Sequence, residues 1–99
     1  MPILSIRLDD ELLVSVDGQL DGSLAPALHI ELEAALAAGV RTVVIDLAAV
    51  PAVDGGGIAV LAAIAHRLEH LPGRLVLHLP GGRTVEVPGP EHVLGALAP

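Results

Sequence analysis

Leu4, Ile6 and Leu8 alternate with Ser5 and Arg7, a period of two that predicts a half-buried strand over Ile3–Leu8. Asp9-Asp10 marks a turn, and Leu12, Val14 and Val16 open a second alternating strand over Glu11–Asp17, so the two form a hairpin. The period then lengthens. Leu24, Leu28, Leu32, Ala35 and Leu36 make one helical stripe, with Ser23 as the expected cap, Pro26 in the first turn and Gly39 as the left-handed stop. Thr42–Asp46 carries the run Val43-Val44-Ile45 without alternation, the pattern of a central strand covered on both faces. A second helix is expected from about Gly57 to Leu71, apolar through Ile58, Leu61, Ala62, Ala65 and Leu68 with Val60 and Ile64 adjoining, and ended by Pro72-Gly73. Leu75, Leu77 and Leu79 predict a strand over Arg74–Leu79. Beyond it, Gly81-Gly82 can turn at positive φ and pair Arg83–Val87 as an edge strand, and "PEHVLGAL" reads as a short helix. These elements predict an α/β fold: a four- to five-stranded mixed sheet with right-handed crossovers and its helices packed on one face.

Composition narrows the partners. The 99 residues suit a single domain spanning 1–99, and no Phe, Tyr or Trp is present, so Leu, Val, Ile and Ala must fill the core. Net charge is −7, with arginine but no lysine. An acidic chain without a basic cluster or an aromatic platform is not expected to bind nucleic acid. The longest apolar run, Ile58 to Ala65, is too short for a membrane span, and no leader pattern precedes the first strand. A cytoplasmic protein is therefore expected.

Candidate chemistry is sparse. His66-Arg67-Leu68-Glu69-His70 matches H-x-x-E-H, and two histidines four apart share a helix face, yet the pattern leaves a third ligand to come from elsewhere. A solvated polar turn is the expectation there, with no metal and no cofactor. Asp54-Gly55-Gly56-Gly57 stands at a helix start where backbone N–H groups attract anions. The lysine of a P-loop is missing, however, and Asp54 itself repels phosphate. Asp54 is better read as an N-cap. No constellation suits catalysis, so an enzyme is not expected.

Three blocks, "VDGQLDGSLAPAL" (16–28), "GVRTVVIDLAAVPAVDGGGIAVLAA" (39–63) and "GRLVLHLP" (73–80), resemble the STAS domain of bacterial anti-sigma factor antagonists. The resemblance covers about residues 3 to 80, and the tail 81–99 departs from the full amphipathic helix usual there. It implies a STAS-like fold and a protein-binding regulatory module whose partner is an anti-sigma factor, a serine protein kinase of GHKL type. In that family the kinase phosphorylates a serine in a D-S-S-G or D-[ST]-[ST]-G loop. Here Asp54 matches the loop aspartate and Gly57 the loop glycine, while Gly55 and Gly56 replace the hydroxyl residues. Gly56 occupies the phosphorylated position. Asp21 matches a residue near the loop, so the implied partner surface is Asp21, Asp54, Gly55, Gly56, Gly57 and Ile58. The implied switch lacks its acceptor, which makes the module constitutive or places it outside the kinase cycle, as a monomer or weak dimer. The alternative implied by the same resemblance is a small-ligand, nucleotide-binding or scaffold STAS domain accompanying a transporter or lipid-trafficking complex.

Overall fold

A computed structural model describes residues 3–97. Two hairpins flank a parallel centre. Strands β1 (Ile3–Leu8) and β2 (Glu11–Val16) pair antiparallel, with Leu8 opposite Glu11 across the Asp9-Asp10 turn. Helix α1 (Ala25–Ala37) crosses to β3 (Thr42–Asp46), and helix α2 (Gly55–His70) crosses to β4 (Arg74–Leu79). Strand β5 (Arg83–Val87) returns antiparallel to β4, and a 3-10 turn (Pro90–His92) leads into the short helix α3 (Val93–Leu97). The sheet order is β1-β2-β3-β4-β5, with β2, β3 and β4 parallel. Two right-handed crossovers that step the same way along a sheet leave both helices on the same face. The edge hairpin of β4 and β5 expected at Gly81-Gly82 is present, with both glycines at positive φ, +86° and +82°.

The core lies between the sheet and α1 and α2. Leu12, Val14 and Val16 of β2, Val43 and Ile45 of β3, and Leu75, Leu77 and Leu79 of β4 face the helices and are buried. Leu28, Leu32 and Leu36 of α1 and Leu61, Ile64, Ala65 and Leu68 of α2 close the layer. Among the described residues no polar or charged side chain is buried, so the interior owes its cohesion to aliphatic burial and to the backbone ladders.

Five expectations are corrected. The alternation of β1 is right in period and reversed in face. Its register sets Ser5 opposite Val14 and Arg7 opposite Leu12, so Ser5 and Arg7 lie on the helix side and Leu4, Ile6 and Leu8 on the open side. Leu4, Ile6 and Leu8 are 65%, 58% and 70% exposed. Polar anchors explain the choice: the Ser5 hydroxyl donates to Glu31, and the Arg7 guanidinium donates to the carbonyl of Ala38, 2.9 Å away at the end of α1. Secondly, Val44 is only half-buried, because no helix covers the second face of β3. Thirdly, β2 ends at Val16 rather than Asp17, and, fourthly, α2 runs Gly55–His70 rather than Gly57 to Leu71. Finally, Ser23 does not cap α1: the N-cap is Leu24 without a side-chain bond, and the Ser23 hydroxyl is engaged by Asp21.

Candidate functional site

The chain's two β–α loops meet at the C-terminal ends of the parallel strands, the end where open α/β sheets present their sites. After β2, Leu20 is fully buried and bridges Val53 in the loop after β3. The Leu20 N–H donates to Ala52 O at 3.3 Å, and the Asp54 N–H donates to Leu20 O at 3.2 Å. This double lacing sets Asp21 and Asp54 in two adjacent loops.

Asp54 caps α2 as expected. Its backbone is extended (φ −90°, ψ −174°), and Oδ1 accepts from the N–H of Gly56 at 2.9 Å and of Gly57 at 3.1 Å. The carboxylate thereby satisfies two orphan donors and faces the positive end of the helix dipole. Asp54→Ala should cost about 1 kcal/mol, within the usual 0.5–2 for a lost cap. Urea unfolding should show this as a lower midpoint with an unchanged slope.

Asp21 forms the matching turn. Its Oδ1 accepts from the Ser23 hydroxyl at 2.6 Å, the Ser23 N–H at 2.9 Å and the Leu24 N–H at 3.3 Å. The hydroxyl donation first, then the backbone bonds, hold its carboxyl below the usual aspartate range against a smaller opposing effect of desolvation. Asp21 is therefore ionised at neutral pH, and its turn loosens only as pH falls through that lowered value.

The three glycines have three different reasons. A side chain at Gly57 would start 2.7 Å from the Leu20 carbonyl oxygen and 2.8 Å from Val53 Cγ1, so this position admits none. Gly56 is exposed, and a Cβ there would stand 3.5 Å from Gly22 Cα and 3.3 Å from Asp54 Oδ1. Position 56 thus looks onto the Asp21 loop. Gly55 opens on empty space. Ile58, half-buried on the next turn, completes the set. Of the six residues named from the sequence, Asp54, Gly55 and Gly56 are exposed, Asp21 and Ile58 are half-buried, and Gly57 is buried beneath them.

Beside Ile58 lies a feature the sequence reading missed. An open cleft of about 590 Å³ is lined by Leu47, Val50, Val53, Ile58, Leu79 and Leu94. Leu94 on α3 is 66% exposed. Arg83 at the rim donates to the Ala96 carbonyl at 2.9 Å, which ties β5 to α3. The short tail helix had given no amphipathic signal, so nothing marked it as a cleft wall.

A mixed five-stranded sheet with helices on one face and a capped β3–α2 loop defines an α/β fold of two layers. The chain belongs to the STAS domain family: residues 5–89 match the family described as "Mlab, STAS domain". The match runs past Pro80 and takes in β5. The chain is 30% identical over 77 residues to the "Putative anti-sigma factor antagonist BtrV" of Bordetella bronchiseptica, covering 78% of this chain and 66% of that relative's length. Among solved structures, an anti-sigma factor antagonist from Mycobacterium paratuberculosis is 33% identical, with a TM-score of 0.68 over 80% of this chain and 67% of that one. The unphosphorylated anti-sigma factor antagonist SpoIIAA is 17% identical and shares the fold, with a TM-score of 0.69 over 76% of this chain and 70% of that one. No described helix is long and apolar enough to cross a membrane.

Proposed function

We propose that the chain is a non-enzymatic antagonist module that docks an anti-sigma factor, a serine kinase of GHKL type, through the Asp21 and Asp54 loops. The observation that supports this most is the lacing of those loops by Leu20, which presents two carboxylates and the exposed Gly56 on one ridge. The apolar cleft beside Ile58 offers a socket for a partner side chain at the edge of the acidic ridge. An apolar pocket rimmed by polar groups is the usual anatomy of a binding hot spot. The partner's complementary surface is basic.

Phosphorylation of a loop serine would add close to two negative charges and three acceptors beside Asp21 and Asp54, enough to repel a docked partner. Gly56 offers no hydroxyl, and the hydroxyl residues of the chain, Ser5, Ser15, Ser23, Thr42 and Thr84, all lie outside the Asp54 loop. Binding is then constitutive.

The test is titration of the purified chain with the GHKL-type anti-sigma factors of its host. Asp21→Ala and Ile58→Asp should each weaken binding at least about tenfold, the effect of about 1.4 kcal/mol. Incubation with the kinase and ATP should leave the wild type unmodified, whereas Gly56→Ser should be phosphorylated and then released. That substitution should change folding stability by no more than about 0.5 kcal/mol, as expected of an exposed position. Failure of any host kinase to bind either version removes this reading.

A further inference from the structure

The far end of α2 carries a second cluster that the antagonist reading leaves unused. His66, Glu69 and His70 stand on one exposed face, and one donor atom from each lies within 4.8 Å of the others. Glu69 sits between the histidines, its Oε1 3.9 Å from Nδ1 of both. The H-x-x-E-H spacing therefore supplies its own third donor, which the sequence reading had sought elsewhere. Arg67, on the next position, is turned away to pair with Glu33 of α1 and does not neutralise the cluster.

We infer that His66, Glu69 and His70 form a binding site for a divalent transition-metal cation of the zinc class. The His70 tautomer suits it. Its Nδ1 lies 2.9 Å from the His66 carbonyl oxygen, and a carbonyl only accepts. The proton is therefore on Nδ1, which leaves Nε2 rather than Nδ1 as the His70 ligand atom, the arrangement of a ligating histidine held by a backbone carbonyl. Bonds of about 2.0–2.2 Å to nitrogen and oxygen place the donors of such a site roughly 3–4 Å apart, so small side-chain rotations close it. The His66 and His70 side chains are 61% and 65% exposed, so packing does not hinder such rotations.

The surroundings favour a cation. The carboxylates of Glu69 and Glu91 converge on Gly89, each with an oxygen 2.7 Å from where a Cβ would stand. Glu91 thus adds negative potential from the 3-10 turn, and a side chain at position 89 would obstruct it. Two nitrogens and a carboxylate oxygen form a borderline set suited to zinc, nickel or copper rather than to magnesium or calcium. Three protein ligands leave at least one position for water.

Titration of zinc chloride into the tag-free chain is expected to give one ion per chain, with the imidazole NMR signals of His66 and His70 shifting and those of His29 and His78 unmoved. The double variant His66→Ala/His70→Ala should lose more than the ~10–100-fold that even an outer-shell change costs a metal site. Glu69→Gln should lose about tenfold. The NMR arm reads the site in the unaltered protein, so it holds whether or not the double variant folds. The site is overturned if the wild type gives no imidazole shifts, if the double variant binds as the wild type does, or if His29→Ala costs as much. Anti-sigma factor binding at the other end of α2 is measured without metal, so the two readings fail separately.

Discussion

Ile64→Ala is expected to destabilise the fold by about 2–5 kcal/mol, the range for deleting a buried aliphatic side chain and leaving a cavity. Ile64 is fully buried at the middle of the α2 stripe that runs through Gly57, Val60, Leu61, Ala65 and Leu68. Its neighbours in the core are aliphatic, and no aromatic ring is present to swing into the void. A domain of this size typically has about 5–15 kcal/mol in all, so the substitution removes a large part of it. Far-UV circular dichroism in urea is the suitable measurement, because a chain without Trp or Tyr gives no useful fluorescence. A loss below ~1 kcal/mol would mean that the helix layer closes over the gap.

The second large effect is at the loop. Gly57→Ala should cost about 1–3 kcal/mol, the usual price of overpacking. The new Cβ would meet the Leu20 carbonyl oxygen at 2.7 Å, Leu20 Cγ at 2.8 Å and Val53 Cγ1 at 2.8 Å. One of these is main chain, held by the bond from the Asp54 N–H, so relief must come from parting the two loops. Gly55→Ala is the internal control. Its Cβ meets nothing within 4 Å, and it should stabilise by about 0.4–1 kcal/mol through the unfolded chain's lost freedom. Equal effects at the two positions would show that helix propensity, not the close approach, governs this segment.

These two sites differ in how much the sequence disclosed. Ile64 was legible as a flank of the helical stripe, β2 and β4 from alternation, and the Asp54 cap from an aspartate that precedes the glycines opening the helix. Gly57 was assigned only by resemblance, because its neighbour Leu20 is far away in sequence and no local pattern reports a close approach. Alternation in β1 revealed a period but not a side. What decided the side was the pairing of Ser5 and Arg7 with the acceptors of α1, Glu31 and the Ala38 carbonyl, which lie many residues further on. Ser23 misled for a related reason: two good acceptor-bearing residues, Asp21 and Ser23, competed for one helix start, and the carboxylate took the backbone donors. The run Val43-Val44-Ile45 overstated its burial, since valine suits an open sheet face as well as a covered one. The cleft depends on where Leu94 lands after two turns of the tail, which no periodicity in five residues can state.

The inverted β1 also sets a hierarchy of cohesion within the sheet. Apart from the half-buried Ile3, its side chains are exposed, so it is held by its ladder to β2 and by the Ser5 and Arg7 bonds rather than by hydrophobic burial. Such a strand opens at far lower free energy than the buried centre, because its release hides no apolar surface from the remaining fold and exposes little. The cooperative unit is then β2, β3 and β4 with α1 and α2, and β1 is a margin that attaches to it. The laced loops belong wholly to that unit, so the ridge of Asp21 and Asp54 keeps its shape even while the margin breathes.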